Sequence, residues 1–432
     1  MSTTEAILLL YDRYLVHKSI TTDSRNITPS TIFFALKGAR FDGNAFAEQA
    51  LEKGASYAVI DNIQYKKNDR YIYVNNVLLV LQKLAKYHRN RLKIPFIGIT
   101  GSSGKTTTKE LLQTVLRSRY ITSVTKGNLN NHIGVPLTVL GTDEETEIAI
   151  VEMGANHVGE IAQLCEIAMP THGLITNVSN VHIEGFGSLK GVMKGKGELY
   201  NYLYQNKGTV FVNSTDPILC NMSKHFSKAI TYPQQQNFYH CKFVNESPTV
   251  VYQSNNGQTI TSHLLGRYHF SNIAAALCVA NYFKVDAKSA NEAIQNYKPS
   301  NNRSQLIEKK KNTILLDAYN ANLESTKGAI RSLHLIHSTY KGLILGDMAE
   351  LGKESIKAHR ELGHFISQEV YKVVLLCGPR MITVKKINPS ALYFSKKVSL
   401  INYLKQRQFR DTAFLIKGSR FLQLETLLQY IN

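Results

Sequence analysis

Residues 96–112 read FIGITGSSGKTTTKELL, and the rest of the chain is best read outward from them. The stretch opens on a short apolar run, Phe96 to Ile99, of the kind that forms a strand buried on both faces. A loop of small residues follows, Thr100-Gly101-Ser102-Ser103-Gly104. Lys105-Thr106-Thr107-Thr108 then opens a segment whose apolar residues, Leu111, Leu112, Val115 and Leu116, recur at helical spacing. Strand, glycine loop, Lys-Thr and helix make a phosphate cradle. Glycine lets backbone N–H groups approach phosphate oxygens, and the helix N-terminus favours their negative charge. Lys105 offers a cation to the β- and γ-phosphates, and Thr106 a hydroxyl to Mg2+. The spacing departs from G-x-x-x-x-G-K-[ST] at one place. Position 99, where the first glycine belongs, is isoleucine, with Gly98 before it and Gly101 after it. The residue types still suit the chemistry better than they suit a plain glycine turn.

A chain of 432 residues with 43% hydrophobic content can bury a sizeable core and has room for two to four domains. No apolar run reaches membrane-spanning length, and the first residues, MSTTEAILLLYDRYLV, lack a basic leader, so no membrane insertion is expected. Five scattered cysteines (Cys165, Cys220, Cys241, Cys278, Cys377), odd in number and without C-x-x-C spacing, suit a reducing cytoplasm. The formal charge of +19 is spread along the chain and accompanies no nucleic-acid-binding signature. Polyanionic small molecules as partners, or surface lysine that serves solubility alone, account for it better than nucleic acid.

Around the cradle, apolar runs at 148–151, 173–176 and 209–212 alternate with helical segments, the pattern of a mostly parallel α/β sheet. Ligands in such sheets lie outside the carboxyl ends of the strands. Polar residues cluster there: Asn128, Asn130, Asn131 and His132, then Glu152 to Asn156, then Asn177 to His182. Glu152 ends an apolar strand beside the phosphate loop and offers Mg2+ an oxygen ligand. Short alternating runs at 239–261 around Asn255-Asn256-Gly257 predict a hairpin, and Asn272 stands just before an alanine-rich helix. Before the cradle, strands are expected at 31–36, 57–61 and 71–74, with helices at 46–54 and 77–91. Two polar loops there, Thr22-Asp23-Ser24-Arg25 and residues 37–44, each carry an arginine suited to a diphosphate. Beyond the linker Pro299 to Arg303, strands at 313–316, 342–345, 373–376 and 413–416 and helices at 325–337 and 359–370 form a second α/β unit without G-x-G-x-x-G. The fold expected is α/β in three domains, 1–85, 86–302 and 303–432.

TGSSGKTTT, GNLNNHIGVP, VEMGANHVGEI and NVSNVHIEGFGSLKGVMKGKGEL together resemble the Mur ligases, in order along essentially the whole chain. DAYNAN and GDMAELG are similar to the branch of that family that adds D-alanyl-D-alanine, and TDSR and ALKGARFDG to its uridine-diphosphate loops. The resemblance implies a small N-terminal α/β UDP-sugar-binding domain, a central P-loop ATPase and a C-terminal Rossmann-like domain. The implied enzyme is a cytoplasmic monomer of peptidoglycan precursor synthesis. It joins D-alanyl-D-alanine to UDP-N-acetylmuramoyl-tripeptide through an acyl phosphate, with ATP as co-substrate.

The resemblance also assigns roles. Lys105, Glu152, His182 and Lys196 would be catalytic. Thr100, Gly101, Ser102, Ser103, Gly104, Lys105, Thr106, Thr107, Asn272, Arg303 and Asp317 would bind ATP. Ser24, Arg25, Lys37 and Gly38 would bind the UDP-sugar, and Asn130, Asn131, Asn320 and Asn322 the other substrate groups. Two Mg2+ ions would be held by Thr106, Glu152, His182 and a carbamylated Lys196. An ammonium has only donors and cannot ligate a cation, whereas a carbamate can. Lys194 is the rival, and the fourteen-residue step from His182 favours Lys196. Departures from the family pattern are Asn44 for His, His269 for Asn and Leu323 for Pro. Two other functions compete for the same residues. A ligase adding the third residue would carry Asp-Asn-Pro-Arg, which is absent. A non-catalytic nucleotide-binding protein would be expected to lack one of the four catalytic residues, all of which are present.

Overall fold

The computed structural model describes residues 3–39, 41–179, 183–246 and 248–431. The cradle strand runs Phe96–Thr100, every residue buried. It lies inside a six-stranded, all-parallel sheet in the order Ile230–Tyr232, Thr209–Asn213, His172–Ile175, Phe96–Thr100, Ile148–Glu152, Thr122–Val124. Both faces are covered by helices, which is why its strands read as continuous apolar runs. Ile97, Ile99, Ile148 and Ile150 pack against the cradle helix Lys105–Leu116 and the alanine-rich helix His269–Tyr282. Phe96, Ala149 and Val151 face the other way, onto Val139, Leu164 and Leu199. Parallel strands align their carboxyl ends, so Thr100, Glu152 and the residues after Ile175 meet along one rim.

The first domain holds a four-stranded parallel sheet, ordered Ser19–Thr21, Thr31–Phe34, Tyr57–Ile60, Tyr71–Tyr73. Its opening helix, Thr3–His17, was not expected, because its apolar residues are not confined to one stripe. It buries Ala6, Leu10, Tyr11 and Tyr14. The helix Val77–Arg89 runs across the division expected at 85/86. It is bolted to the central domain. Arg89, buried over the Phe96 ring, donates to the carbonyls of Ala168, Leu92 and Met169. The Tyr14 hydroxyl donates to Leu140 O at 2.5 Å. One hydrophobic core therefore runs through both domains.

The hairpin expected at 239–261 is a three-stranded antiparallel sheet, Lys242–Glu246, Thr249–Gln253 and Thr259–Leu265. The third domain has a six-stranded sheet ordered Gln305–Lys309, Asn312–Asp317, Thr412–Lys417, Tyr340–Gly346, Val373–Cys377, Leu392–Phe394. All pairs are parallel except the first, an antiparallel edge. Loops at the carboxyl ends of its strands meet the rim of the central sheet.

Candidate active site

The cradle is shaped by close approach. Gly101 has φ +145° and Gly104, which caps the helix, φ +78°. A Cβ at Gly101 would lie 2.0 Å from Thr176 Oγ1, and one at Gly104 2.8 Å from Asn272 Oδ1. Only glycine fits either place. The loop is pinned to the neighbouring strand end. Ser102 N–H donates to Asn177 O (2.9 Å), Ser103 N–H to Asn177 Oδ1 (3.1 Å), and the Thr176 hydroxyl to Ser103 O (2.6 Å). The first helical bond runs from Thr108 N–H to Gly104 O, so the N–H groups of Lys105, Thr106 and Thr107 have no intrahelical acceptor. All three residues line a cavity of about 900 Å3 between the central and third domains. Lys105 donates to Gly101 O at 2.8 Å. Desolvation in the cleft lowers its pKa and Arg303 adds to this, against Glu152 and Glu350. Thr100 and Gly101 stand behind the cavity wall.

Glu152 closes its strand on the same cavity. Its N–H donates to Thr125 Oγ1 (2.9 Å), and its Oε1 accepts from Asn130 Nδ2 (2.8 Å). Oε2 is buried and has no hydrogen-bond partner among the described residues. An unpaired buried carboxylate oxygen is costly, and a hard cation is what relieves it. Glu152 and Thr106 thus fit Mg2+. His182 lies outside the described residues, and among those described no group of three His, Cys, Asp or Glu side chains could hold a metal. Lys196, on the helix Leu189–Gln205, is 1% exposed, while Lys194 is exposed. Lys196 Nζ donates to Ala155 O at 2.9 Å and lies 5.0 Å over the Phe186 ring. Burial, with Lys105 next in effect, pulls its pKa down to about 7 against the pull of Glu160 and Glu198.

The four asparagines expected to bind substrate all line the cavity. Asn130 holds Glu152. Asn131 Oδ1 accepts from the N–H groups of Ile133 and Gly134, at the start of the helix Gly134–Leu140. Asn320 Oδ1 accepts from Ala321 N–H, and Asn322 caps the helix Leu323–His334 in a capping box with Ser325. These side-chain oxygens therefore shape the cavity's own walls. Leu323 is the first helical residue, a position that also suits proline.

The third domain supplies the facing wall. Asp317 Oδ2 pairs with Lys417 Nζ at 2.5 Å, and Lys417 also donates to Asn320 O (3.0 Å). Asp317 Oδ1 accepts from Ser304 N–H (3.2 Å). Ser304 Oγ is 3.3 Å from His269 Nε2, and Asn272 Nδ2 donates to His269 Nδ1 (3.2 Å). Burial pushes His269 down to about 4, so it is neutral and passes a continuous hydrogen-bonded chain from Asp317 to Asn272 beside the cradle. The Arg303 guanidinium lies 3.7 Å over the Tyr319 ring, with its Nε buried and without a hydrogen-bond partner among the described residues. Lys417 is the last residue of the strand Thr412–Lys417 and lines the same cavity. Tyr268 and Ser304, which also line the cavity, carried no sequence signal.

None of the four residues expected to bind UDP lines this cavity. Arg25 forks onto Asp23 (2.8 and 2.7 Å) and pulls that carboxyl down to about 2. Ser24 O accepts from Lys53 Nζ (3.1 Å). Gly38 lies in a two-stranded ribbon, and Lys37 Nζ meets Asp61 Oδ1 at 2.9 Å. Asn44, fully buried, donates to Asp61 Oδ1 (2.9 Å) and Asp42 Oδ1 (2.6 Å) and accepts from the N–H groups of Asp61 and Asn62. An amide matches that set, having donor and acceptor on one plane. Asn44→Ala leaves these groups unpaired at an expected cost of about 1–3 kcal/mol. The check is a lowered melting temperature with ADP binding at the cradle unchanged below the transition.

The chain matches known proteins over its length. The Mur ligase family catalytic domain matches residues 17–95, the Mur ligase middle domain 99–280, and the Mur ligase glutamate ligase domain 302–420. The UDP-N-acetylmuramoyl-tripeptide--D-alanyl-D-alanine ligase of Bacillus subtilis (strain 168) is 33% identical, covering 97% of this chain and 94% of the relative. That of Escherichia coli (strain K12) is 32% identical, covering 96% and 93%. Among solved structures, MurF from Acinetobacter baumannii superposes with a TM-score of 0.84 at 27% identity, covering 96% of this chain and 93% of that one. MurF from Thermotoga maritima in complex with ADP gives 0.81 at 28%, covering 96% and 97%. Three family domains follow one another along a chain that its relatives match from end to end, and the chain belongs to the Mur ligase family.

Proposed function

We propose that this chain is the ATP-dependent ligase that joins D-alanyl-D-alanine to UDP-N-acetylmuramoyl-tripeptide in peptidoglycan precursor synthesis. The observation that carries the reading is the interdomain cavity. The phosphate cradle and Glu152 form one wall, and Asp317, Lys417 and Asn320 the other. A reaction between nucleotide and peptide needs such a site. The tripeptide carboxylate attacks the γ-phosphorus of ATP, the bond to ADP breaks, and an acyl phosphate forms. The dipeptide amine then attacks the acyl carbon. A C–N bond forms, the C–O bond to phosphate breaks with its electron pair leaving on phosphate, and the amine releases a proton. Two anions must first be brought together, so cations dominate the catalysis. Lys105 and the N–H groups of Lys105, Thr106 and Thr107 at the start of the cradle helix bind the triphosphate, and Arg303 adds charge from the linker. The third domain excludes water, which would otherwise hydrolyse the acyl phosphate.

Thr106 and Glu152, with His182 and a carbamylated Lys196, would hold two Mg2+ ions, which supply neutralising charge between phosphate oxygens. The carbamate is favoured by the setting of Lys196. Its amine is buried, meets no carboxylate within hydrogen-bond distance among the described residues, and has its pKa lowered to about 7 by burial and Lys105 against the charges of Glu160 and Glu198. The loops at Ser24, Arg25, Lys37 and Gly38 take the uridine diphosphate, the unit 86–302 the ATP, and the unit 303–432 the dipeptide. ATP and a nucleotide-activated sugar as substrates place the work in the cytoplasm, and no helix among the described residues is long and apolar enough to cross a membrane. The test is phosphate release from ATP. It should require both UDP-N-acetylmuramoyl-tripeptide and D-alanyl-D-alanine, in step with the pentapeptide product. No release with all three substrates and Mg2+ present overturns the proposal.

A further inference from the structure

The loop after the strand Tyr340–Gly346 reads Asp347-Met348-Ala349-Glu350-Leu351-Gly352. It reaches from the third domain to the central one. Glu350 lines the cavity and its charge acts on Lys105. A Cβ on Gly352 would lie 3.3 Å from Glu184 Cβ, on the short central-domain helix Ile183–Phe186. The loop also carries backbone strain. Glu350 has φ +61°, a left-handed conformation that a non-glycine residue keeps only where its surroundings hold it.

Two side chains provide that hold. Ser419 Oγ accepts from Ala349 N–H (2.8 Å), and Ser419 N–H donates to Asp347 O (3.1 Å). His359, fully buried on the helix Ser355–Ile366, has Nε2 3.2 Å from Met348 N and Nδ1 2.7 Å from Ser355 O. A carbonyl can only accept, so Nδ1 carries the proton and the Nε2 lone pair receives the Met348 N–H. Burial lowers the pKa of His359 and so supports the neutral ring, against Ser355 O and Asp347.

We infer that His359 is a positioning residue for the ligation. Its Nε2 fixes the Met348 N–H, and so holds the Asp347–Gly352 loop in the shape that brings Glu350 to the phosphate cradle. The inference rests on the ligase reading above for its reaction, but its geometry is independent of that reading.

The test uses the full chain and two substitutions that separate the ring nitrogens. Glutamine can place a carbonyl oxygen where Nε2 lies, whereas asparagine reaches only to the Nδ1 position. His359→Asn is expected to lower kcat about tenfold to a hundredfold, the scale of a small displacement of a catalytic group. The affinity for UDP-N-acetylmuramoyl-tripeptide should not change, because its uridine loops are remote. His359→Gln should stay close to the unsubstituted enzyme. Equal loss or equal retention in the two variants overturns the inference. Should either variant fail to fold, 15N NMR of the unsubstituted protein decides. A neutral ring protonated on Nδ1 supports the role, and one protonated on Nε2 overturns it. If the unsubstituted chain itself releases no phosphate with all substrates, the ligase reading fails. The tautomer then still reports on the loop.

Discussion

Lys196→Ala is expected to lower turnover at least about a hundredfold, and short carboxylates such as acetate to restore part of it. The physical case starts from where the amine sits. It is 1% exposed, donates one hydrogen bond to Ala155 O, lies over the Phe186 ring, and feels the Lys105 charge more strongly than either of the opposing charges, Glu160 and Glu198. A plain structural lysine in that place would be a poor choice, since desolvation opposes its charge. A carbamate removes the conflict. On the carbamate proposed above, the neutral amine would add to CO2, a C–N bond would form, one proton would leave, and the product would be an oxygen anion. Because burial brings the pKa to about 7, the reactive neutral amine accumulates as pH rises through that value. Enzyme stripped of CO2 should therefore regain activity with bicarbonate more readily above pH 7 than below it. The sign for stability follows from the same shift. The folded pKa is depressed from 10.5, so holding the protonated amine opposes folding in full below about pH 7. That penalty shrinks as pH rises toward 10.5. The measurements are turnover of the variant with and without acetate, and a 13C carbamate resonance from labelled bicarbonate in the unsubstituted enzyme. Full activity in the unsupplemented variant would refute the carbamate.

Much of this candidate site is legible in the amino-acid sequence. The cradle declared itself because its chemistry is local. A strand, a glycine loop and a helix start are contiguous, and the glycines are required by contacts with Thr176 and Asn272. Glu152 was legible because a parallel sheet puts strand ends on one rim. What stayed hidden depends on distant pairing. The edge strand Gln305–Lys309 is antiparallel and half polar, so its residues carry no buried-strand pattern. The helix Thr3–His17 lacks a clear apolar stripe, although it buries two tyrosines against the central domain. Ser304 and His269 matter only because folding lines them up between Asp317 and Asn272. The asparagines expected to meet substrate could be placed on the cavity wall from sequence. That Asn322 caps a helix, Asn131 accepts from the N–H groups of Ile133 and Gly134, and Asn130 steadies Glu152 required the hydrogen bonds themselves.

Asp317 and Lys417 allow stability to be separated from chemistry. They end neighbouring parallel strands, directly in register, and form an ion pair with Lys417 only 2% exposed. Asp317→Leu strands a buried ammonium, with an expected cost of about 3–5 kcal/mol. The third domain should then melt earlier and turnover should fall. The double variant Asp317→Leu/Lys417→Met removes both charges and replaces them with apolar side chains. Such replacement of a buried pair is close to neutral, so most of the lost stability should return. Turnover should not return. Asp317 Oδ1 also accepts the Ser304 N–H that heads the chain of hydrogen bonds through His269 to Asn272, and Lys417 holds Asn320 O in the cavity wall. Neither leucine nor methionine can rebuild those contacts. Thermal melting and substrate-dependent phosphate release, measured on the same preparations, check both halves. If the double variant recovers turnover along with stability, the pair serves only to hold two strands together. If stability alone recovers, the charges belong to the reaction, and the buried pair is kept in spite of the apolar alternative because the cavity needs it.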